Sequence, residues 1–250
     1  KNGAIVMLEE NDREEILKQI KSNGVSCLIN VGADMKSSEE SINLANKYDF
    51  IFAAVGVHPQ YVDTMNLTHI QALKTLTKSE KVVAIGEIGL DYYHNSSDSE
   101  TQKEWFAEQI NLGKNVDLPL IIHDREAHND VLDIIKYEKA YEVGGVFHCF
   151  SGSVEMAKVA VNNNFMLGIG GTVTFKNAKK LLEVVKYAPL DMLVIETDCP
   201  YLCPEPYRGQ RNQSNYLVYV IEKIASLKEM SYEEVEYATY NNAKRLFRID

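Results

Sequence analysis

A chain of 250 residues with 45% hydrophobic residues can fill one full α/β core, and its formal net charge of -10 argues against the broad basic face by which proteins grip long duplexes. Its four cysteines, Cys27, Cys149, Cys199 and Cys203, have no paired-thiolate zinc spacing and do not read as a disulfide framework. No apolar run approaches the roughly 18 residues of a membrane helix, and the first residues lack the basic-then-apolar layout of a secretory signal, so a soluble, cytoplasmic protein without a membrane partner is expected.

In chain order, an amphipathic segment from Asp12 to Asn23, with Ile16, Leu17 and Ile20 on one stripe, reads as a helix stopped by Gly24. A strand follows at Cys27 to Val31. Helix and strand then alternate: Ser38 to Tyr48 before Ile51 to Val57, Leu67 to Leu76 before Val82 to Ile88, and Thr101 to Asn115 before Leu118 to His123. Ala127 to Lys136 precedes Gly145 to Phe150, Ser153 to Asn162 precedes Phe165 to Ile169, and Ala178 to Tyr187 precedes Met192 to Glu196. Helices at Asn215 to Leu227 and Tyr232 to Phe247 close the chain.

Alternation at this spacing implies parallel strands joined by right-handed crossovers, and thus a TIM-like (β/α) barrel. No linker, low-complexity tract or repeat divides residues 1 to 250, which read as a single barrel domain. The strand that would complete the barrel is missing or atypical, its one candidate being the short apolar stretch Ala4 to Leu8.

Six apolar runs stop on a group with chemistry to offer: VGVHP at His58, IGEIGLD at Glu87 and Asp91, LIIHDR at His123, GVFHCFSG at His148, LGIGGTV at Gly170 and VIETDCP at Asp198. In a parallel barrel the carboxyl ends of all strands share one rim, so Glu87, His123, His148 and Asp198 converge despite their separation in sequence. Two imidazoles and two carboxylates suit a divalent ion such as zinc, manganese or magnesium. A single histidine ending an apolar strand is ordinarily a hydrogen-bonded core group; four such termini in one register point instead to a shared site.

These residues sit in a series of motifs that resembles the TatD family of metal-dependent hydrolases and deoxyribonucleases. GVHP at Gly56, GEIGLDYY at Gly86, IIHDREA at Ile121, HCFSG at His148, VTFKNA at Val173, ETDCPYL at Glu196, PYRGQRN at Pro206 and NNAKRLF ending at Phe247 follow the family order, and the likeness runs from Val25 to Ile249. The resemblance implies hydrolysis of phosphodiester bonds, with DNA or a short oligonucleotide as substrate. It implies two divalent ions in the intact family site, with Glu87 bridging both, His123 and His148 on one and Asp198 on the other. It casts Asp198 and Glu87 as catalytic and gives His58, Arg125 and Arg208 to the substrate phosphate, for which a guanidinium fork is suited.

One departure stands out: the family's first strand carries a His-x-His pair, and the earliest histidine here is His58. An ungapped match would put Lys1 and Gly3 in those places, where neither can ligate. Two readings follow. Either a strand with the pair precedes Lys1 in the native protein, or Ala4 to Leu8 stands in for it, leaving a single ion held by Glu87, His123 and His148, with Glu9 or Glu10 near the second position. In either case this chain is expected to be less active than a form carrying the pair, because one ion cannot serve both the attacking and the leaving oxygen. Hydrolysis of another ester or amide on the same barrel, or a binding module with an incomplete metal site, are the competing functions.

Other features carry less weight. His69, His94 and His128 read as surface or capping residues. Gly168, Gly170 and Gly171 suggest close packing more than a dinucleotide loop, and Lys176, Lys179 and Lys180 a solvated helix face. Tyr92, Tyr93 and Tyr201 are either rim packing or platforms for a base.

Overall fold

The structure, a computed structural model, describes residues 10–94 and 96–249, with side chains from residue 13 onward. Seven parallel strands lie side by side in chain order: β1 (Leu28–Val31), β2 (Ile51–Val55), β3 (Val82–Asp91), β4 (Leu120–Arg125), β5 (Gly145–Phe147), β6 (Phe165–Ile169) and β7 (Leu193–Ile195). Helices α1 (Glu10–Ser22), α2 (Met35–Lys47), α3 (Leu67–Leu76), α4 (Ser99–Val116), α5 (His128–Tyr137), α6 (Val154–Asn162) and α7 (Lys179–Tyr187) precede β1 to β7 in turn. Helices α8 (Leu217–Lys228) and α9 (Tyr232–Phe247) follow β7. The sheet curls into the greater part of a TIM-like barrel. Among the described residues β1 and β7 are its edges and do not pair. The expected strand Ala4 to Leu8, Glu9 and the side chain of Glu10 lie outside the described residues. No described helix is long and apolar enough to cross a membrane.

The pleat sorts each strand into two faces, since successive side chains point to opposite sides. Ile51, Ala53 and Val55 of β2, Leu120 and Ile122 of β4, Phe147 of β5, Phe165, Leu167 and Ile169 of β6 and Leu193 of β7 pack outward under the helices. The residues between them, Ala54, Ile121, Val146, Met166 and Val194, join Val83 and Ala84 in a separate interior layer. Phe247, the last residue of α9, packs into that layer. Fully buried side chains such as Ile85, Ile122 and Phe147 each stabilise the fold by about 1.5–3 kcal/mol.

Several boundaries differ from the sequence reading for identifiable reasons. Helix α2 starts at Met35 rather than Ser38, because Asp34 accepts the Ser37 N–H at 2.7 Å while the Ser37 hydroxyl accepts the Asp34 N–H at 2.9 Å, a reciprocal cap. Strand β2 ends at Val55, and the backbone of Val57 is instead clasped by the buried Gln109 side chain of α4, which accepts the Val57 N–H at 2.7 Å and donates to its carbonyl at 3.0 Å. Strand β5 stops at Phe147 because Cys149 adopts a left-handed conformation, φ 46°, and turns its N–H away from the ladder.

Candidate metal centre

The interior layer fixes what stands above it. Two residues on from Ile121, Val146, Met166 and Val194, the pleat points His123, His148, Gly168 and Glu196 to the same side, at the carboxyl ends of the strands. In β3 the register slips: Ile85 pairs with Leu120 and Ile88 with Ile122, so Gly86 and Glu87 together face the one residue Ile121. This extra residue is a bulge, and it turns Glu87 inward to join the layer. Beside it, Gly89 has φ 145°, and a Cβ there would lie 1.9 Å from the His123 carbonyl, so only glycine lets β3 and β4 approach this closely.

On the β2 to β4 side, His123 Nδ1 lies 2.7 Å from Glu87 Oε1, and its Nε2 lies 3.3 Å from Asp91 Oδ2. His58 Nε2 stands 3.8 Å from Glu87 Oε1, with its ring 4.2 Å from that of His123. Ligand atoms of His58, Glu87 and His123 all fall within 4.8 Å of one another, a group that can hold a metal ion. One carboxylate and two imidazoles are the donor chemistry that zinc or manganese prefers, so these residues fit a divalent ion. His58 Nδ1 accepts the Gln60 N–H at 3.2 Å, which leaves the proton of a neutral ring on Nε2, facing Glu87. As it stands, then, His58 is a hydrogen-bond donor, and joining an ion through Nε2 requires that proton to move to Nδ1 at the expense of the Gln60 bond.

On the β5 to β7 side, His148 Nδ1 lies 2.7 Å from Glu196 Oε2, and its Nε2 faces Asp198 Oδ1 at 3.6 Å. The other Glu196 oxygen accepts the Cys149 N–H at 2.6 Å, the contact for which the left-handed turn is made. Gly168 makes room, since a Cβ there would sit 2.7 Å from Glu196 Oε2.

Charge ties the two halves together. Burial alone would raise the Glu87 carboxyl, yet the positive charge of His148, the His123 hydrogen bond and His58 hold it well below the usual carboxylate range. Burial opposes a charged His123 too, but its bonds to Asp91 and Glu87 push it up to about 9. His148 is raised well above an ordinary histidine: burial works against its charge, and Glu196, Glu87 and Asp198 outweigh it. His58 goes the other way, down to about 4, because burial dominates over the attraction of Glu87. Without a metal, therefore, two imidazolium ions carry the positive charge among these carboxylates.

Of the residues expected from sequence, the structure brings His58, Glu87 and His123 together, and sets His148 beside Asp198. Arg125 and Arg208 are exposed, and neither pairs with a carboxylate of the cluster. His58, assigned from sequence to the substrate phosphate, stands within the ligand group itself. Glu196 and Asp91 were left out of that site. Asp91 is completely buried and accepts from the backbone N–H groups of Tyr93 and His94, from Gln60 Nε2 at 2.9 Å and from the His94 ring at 2.7 Å. Burial would raise it, but the His123 and His94 bonds keep it far below the ordinary aspartate value. His69 and His128 are local partners, of Asn66 and Asp124, whereas His94 touches the site through Asp91. The four cysteines are free thiols.

Comparison with known proteins gives these residues a context. The family model described as TatD related DNase matches residues 6–248. Uncharacterized metal-dependent hydrolase YabD of Bacillus subtilis is 50% identical over 243 residues, covering 96% of this chain and 94% of that protein. The 3'-5' ssDNA/RNA exonuclease TatD of Erwinia tasmaniensis is 31% identical over 244 residues, covering 95% and 94%. The crystal structure of YjjV, a TatD homolog from Escherichia coli K12, superposes with a TM-score of 0.90 at 30% identity, covering 96% of this chain and 93% of that one.

Proposed function

Since the chain belongs to the TatD family of metal-dependent hydrolases, we propose that it cleaves phosphodiester bonds of DNA, acting on ends or short single strands. The observation that carries this reading is the gathering of His58, Glu87 and His123 within reach of one ion, with the charge of His148 acting on the same Glu87 and Asp198 facing His148. Glu87 and His123 of this group would hold the ion, magnesium, manganese or zinc, with His148 as the third donor because His58 Nε2 carries its proton, and Asp198 would serve a second. A divalent ion there supplies Lewis acidity and a water that ionises near neutral pH.

The remaining work falls to the side chains. Asp91 and Glu196 each grip one nitrogen of a histidine, His123 and His148, and so orient the rings. Asp198, part-exposed at the mouth, is positioned to take the proton of the attacking water. The His58 Nε2 proton is available to a phosphate oxygen, and the Arg125 and Arg208 forks to neighbouring ones. An activity of the Erwinia relative supports a single-stranded substrate.

The test is hydrolysis of an end-labelled single-stranded oligonucleotide by protein stripped with EDTA and reloaded with each ion, alongside Glu87→Gln. Cleavage restored by at least one ion and lost in the variant is expected. Hydrolysis of a carboxylate ester or amide with no phosphodiester cleaved under any ion would overturn the reading.

A further inference from the structure

The two guanidinium groups at the rim share an arrangement. Arg125 Cζ lies 4.9 Å over the ring of Tyr93, and Arg208 Cζ lies 4.2 Å over the ring of Phe175. Both arginines are exposed, and among the described residues no carboxylate forms an ion pair with either. Arg248 provides the contrast: also at the surface, it is forked onto Asp117 at 2.7 and 3.1 Å. A guanidinium held over a ring and not engaged by a carboxylate keeps N–H groups for an anion that the protein does not itself supply.

Both rings are braced. Tyr93 is 57% exposed and so is not held by burial; its edge meets the His94 ring at 5.0 Å, and His94 is bonded to Asp91, which also holds His123. Phe175 belongs to the loop after β6, Arg208 to the loop after β7, and the loops are fastened together. Thr174 Oγ1 accepts the Glu205 N–H at 2.8 Å, and Gly171 lies so close to Leu202 that a Cβ would meet its carbonyl at 2.3 Å. In sheet order one ring-held arginine thus belongs to the β3 and β4 side, the other to the β6 and β7 side, with His148 after β5 between them.

We propose that Tyr93 and Phe175 are positioning residues that hold Arg125 and Arg208 ready for substrate phosphates. This rests on the phosphodiesterase reading above and adds the residues that hold its two arginines in place. Each ring-held guanidinium meets a phosphate with less of the freedom of a long side chain left to lose.

Binding of a fluorescein-labelled single-stranded hexanucleotide to metal-free protein, followed against salt, tests this positioning without catalysis. Arg125→Gln and Arg208→Gln should each lower the slope of log K against log salt by about 0.7, the value for one single-strand phosphate contact. Tyr93→Leu and Phe175→Leu should weaken binding about two- to fivefold, while Tyr93→Phe and Phe175→Tyr keep it, because the ring and not the hydroxyl carries the cation. With metal restored, the leucine variants should raise KM for the hexanucleotide more than they lower kcat. Leucine variants that bind like the parent, or arginine variants with an unchanged slope, would overturn it even if phosphodiesters are cleaved. Strand binding with the predicted slopes but no cleavage under any ion would sink the enzymatic reading and leave the positioning role standing.

Discussion

Replacing Glu196 by glutamine keeps the volume of the side chain and removes its charge, so packing is not what changes. The carboxylate accepts two short bonds, from His148 Nδ1 at 2.7 Å and from the Cys149 N–H at 2.6 Å. An amide has one oxygen, and its nitrogen must then face a second donor, in a pocket so close that Gly168 alone leaves room for the side chain. Losing one charge-assisted bond and leaving one buried donor unpaired should cost about 2–4 kcal/mol of stability. Metal affinity should fall about 10- to 100-fold, because the imidazole is no longer held by its outer nitrogen. The assays are urea denaturation in EDTA and metal titration by a competing chelator. Nitrogen chemical shifts of His148 add a third reading: with one anionic neighbour gone, its proton should leave at lower pH than in the parent. A variant with the parental urea midpoint and unchanged metal affinity would refute the claim that Glu196 orients His148.

Three further outcomes follow from the same geometry. In metal-free protein His123, at about 9, favours the native state fully below the ordinary histidine value of about 6.5 and loses that contribution as pH rises through 9. His58, at about 4, favours it above about 6.5 and fails as pH falls through 4, so melting in EDTA should peak between these limits; a chelated protein more stable at about pH 10 than at 6.5 contradicts this. Gly168→Ala would bring a Cβ within 2.7 Å of Glu196 Oε2 and 2.9 Å of the Phe147 carbonyl, and should cost about 1–3 kcal/mol in chemical denaturation together with a loss of metal affinity. Gln109→Leu strips the Val57 N–H and carbonyl of their partners and should lower stability by about 2–4 kcal/mol; an unchanged midpoint would mean that water replaces the amide.

Strand and helix alternation was legible because each apolar run is flanked by a turn signal, and β6 and α3 fall on the residues that the sequence predicts. That β3 and β4 bring their carboxyl ends to one rim, where Glu87 meets His123, followed from parallel topology. Glu196 was legible in principle, since in VIET counting by two from the inward Val194 reaches it, whereas the motif resemblance points to Asp198, which lies beyond the strand. Glu87 could not be placed by such counting, since the bulge in β3 shifts the inward phase by one and leaves no mark in an apolar run. The roles of Asp91 and His94 were hidden for another reason. They depend on a loop folding back so that one carboxylate meets Gln60, His94 and His123 together, contacts from three places in the chain.

Where the charges stand matters more than their sum. A chain with net charge -10 repels a polyanion at long range, yet beyond about 8–10 Å that field is screened at physiological salt. Within that distance the carboxylates Glu87, Asp91, Glu196 and Asp198 are engaged by His58, His94, His123 and His148, while the stacked Arg125 and Arg208 have no neutralising partner among the described residues. A divalent ion entering such a cluster competes with the protons on His123 and His148, so its affinity should climb with pH up to about 9. On the proposed reading the carboxylates serve the cation, and the guanidiniums of Arg125 and Arg208 serve the phosphates.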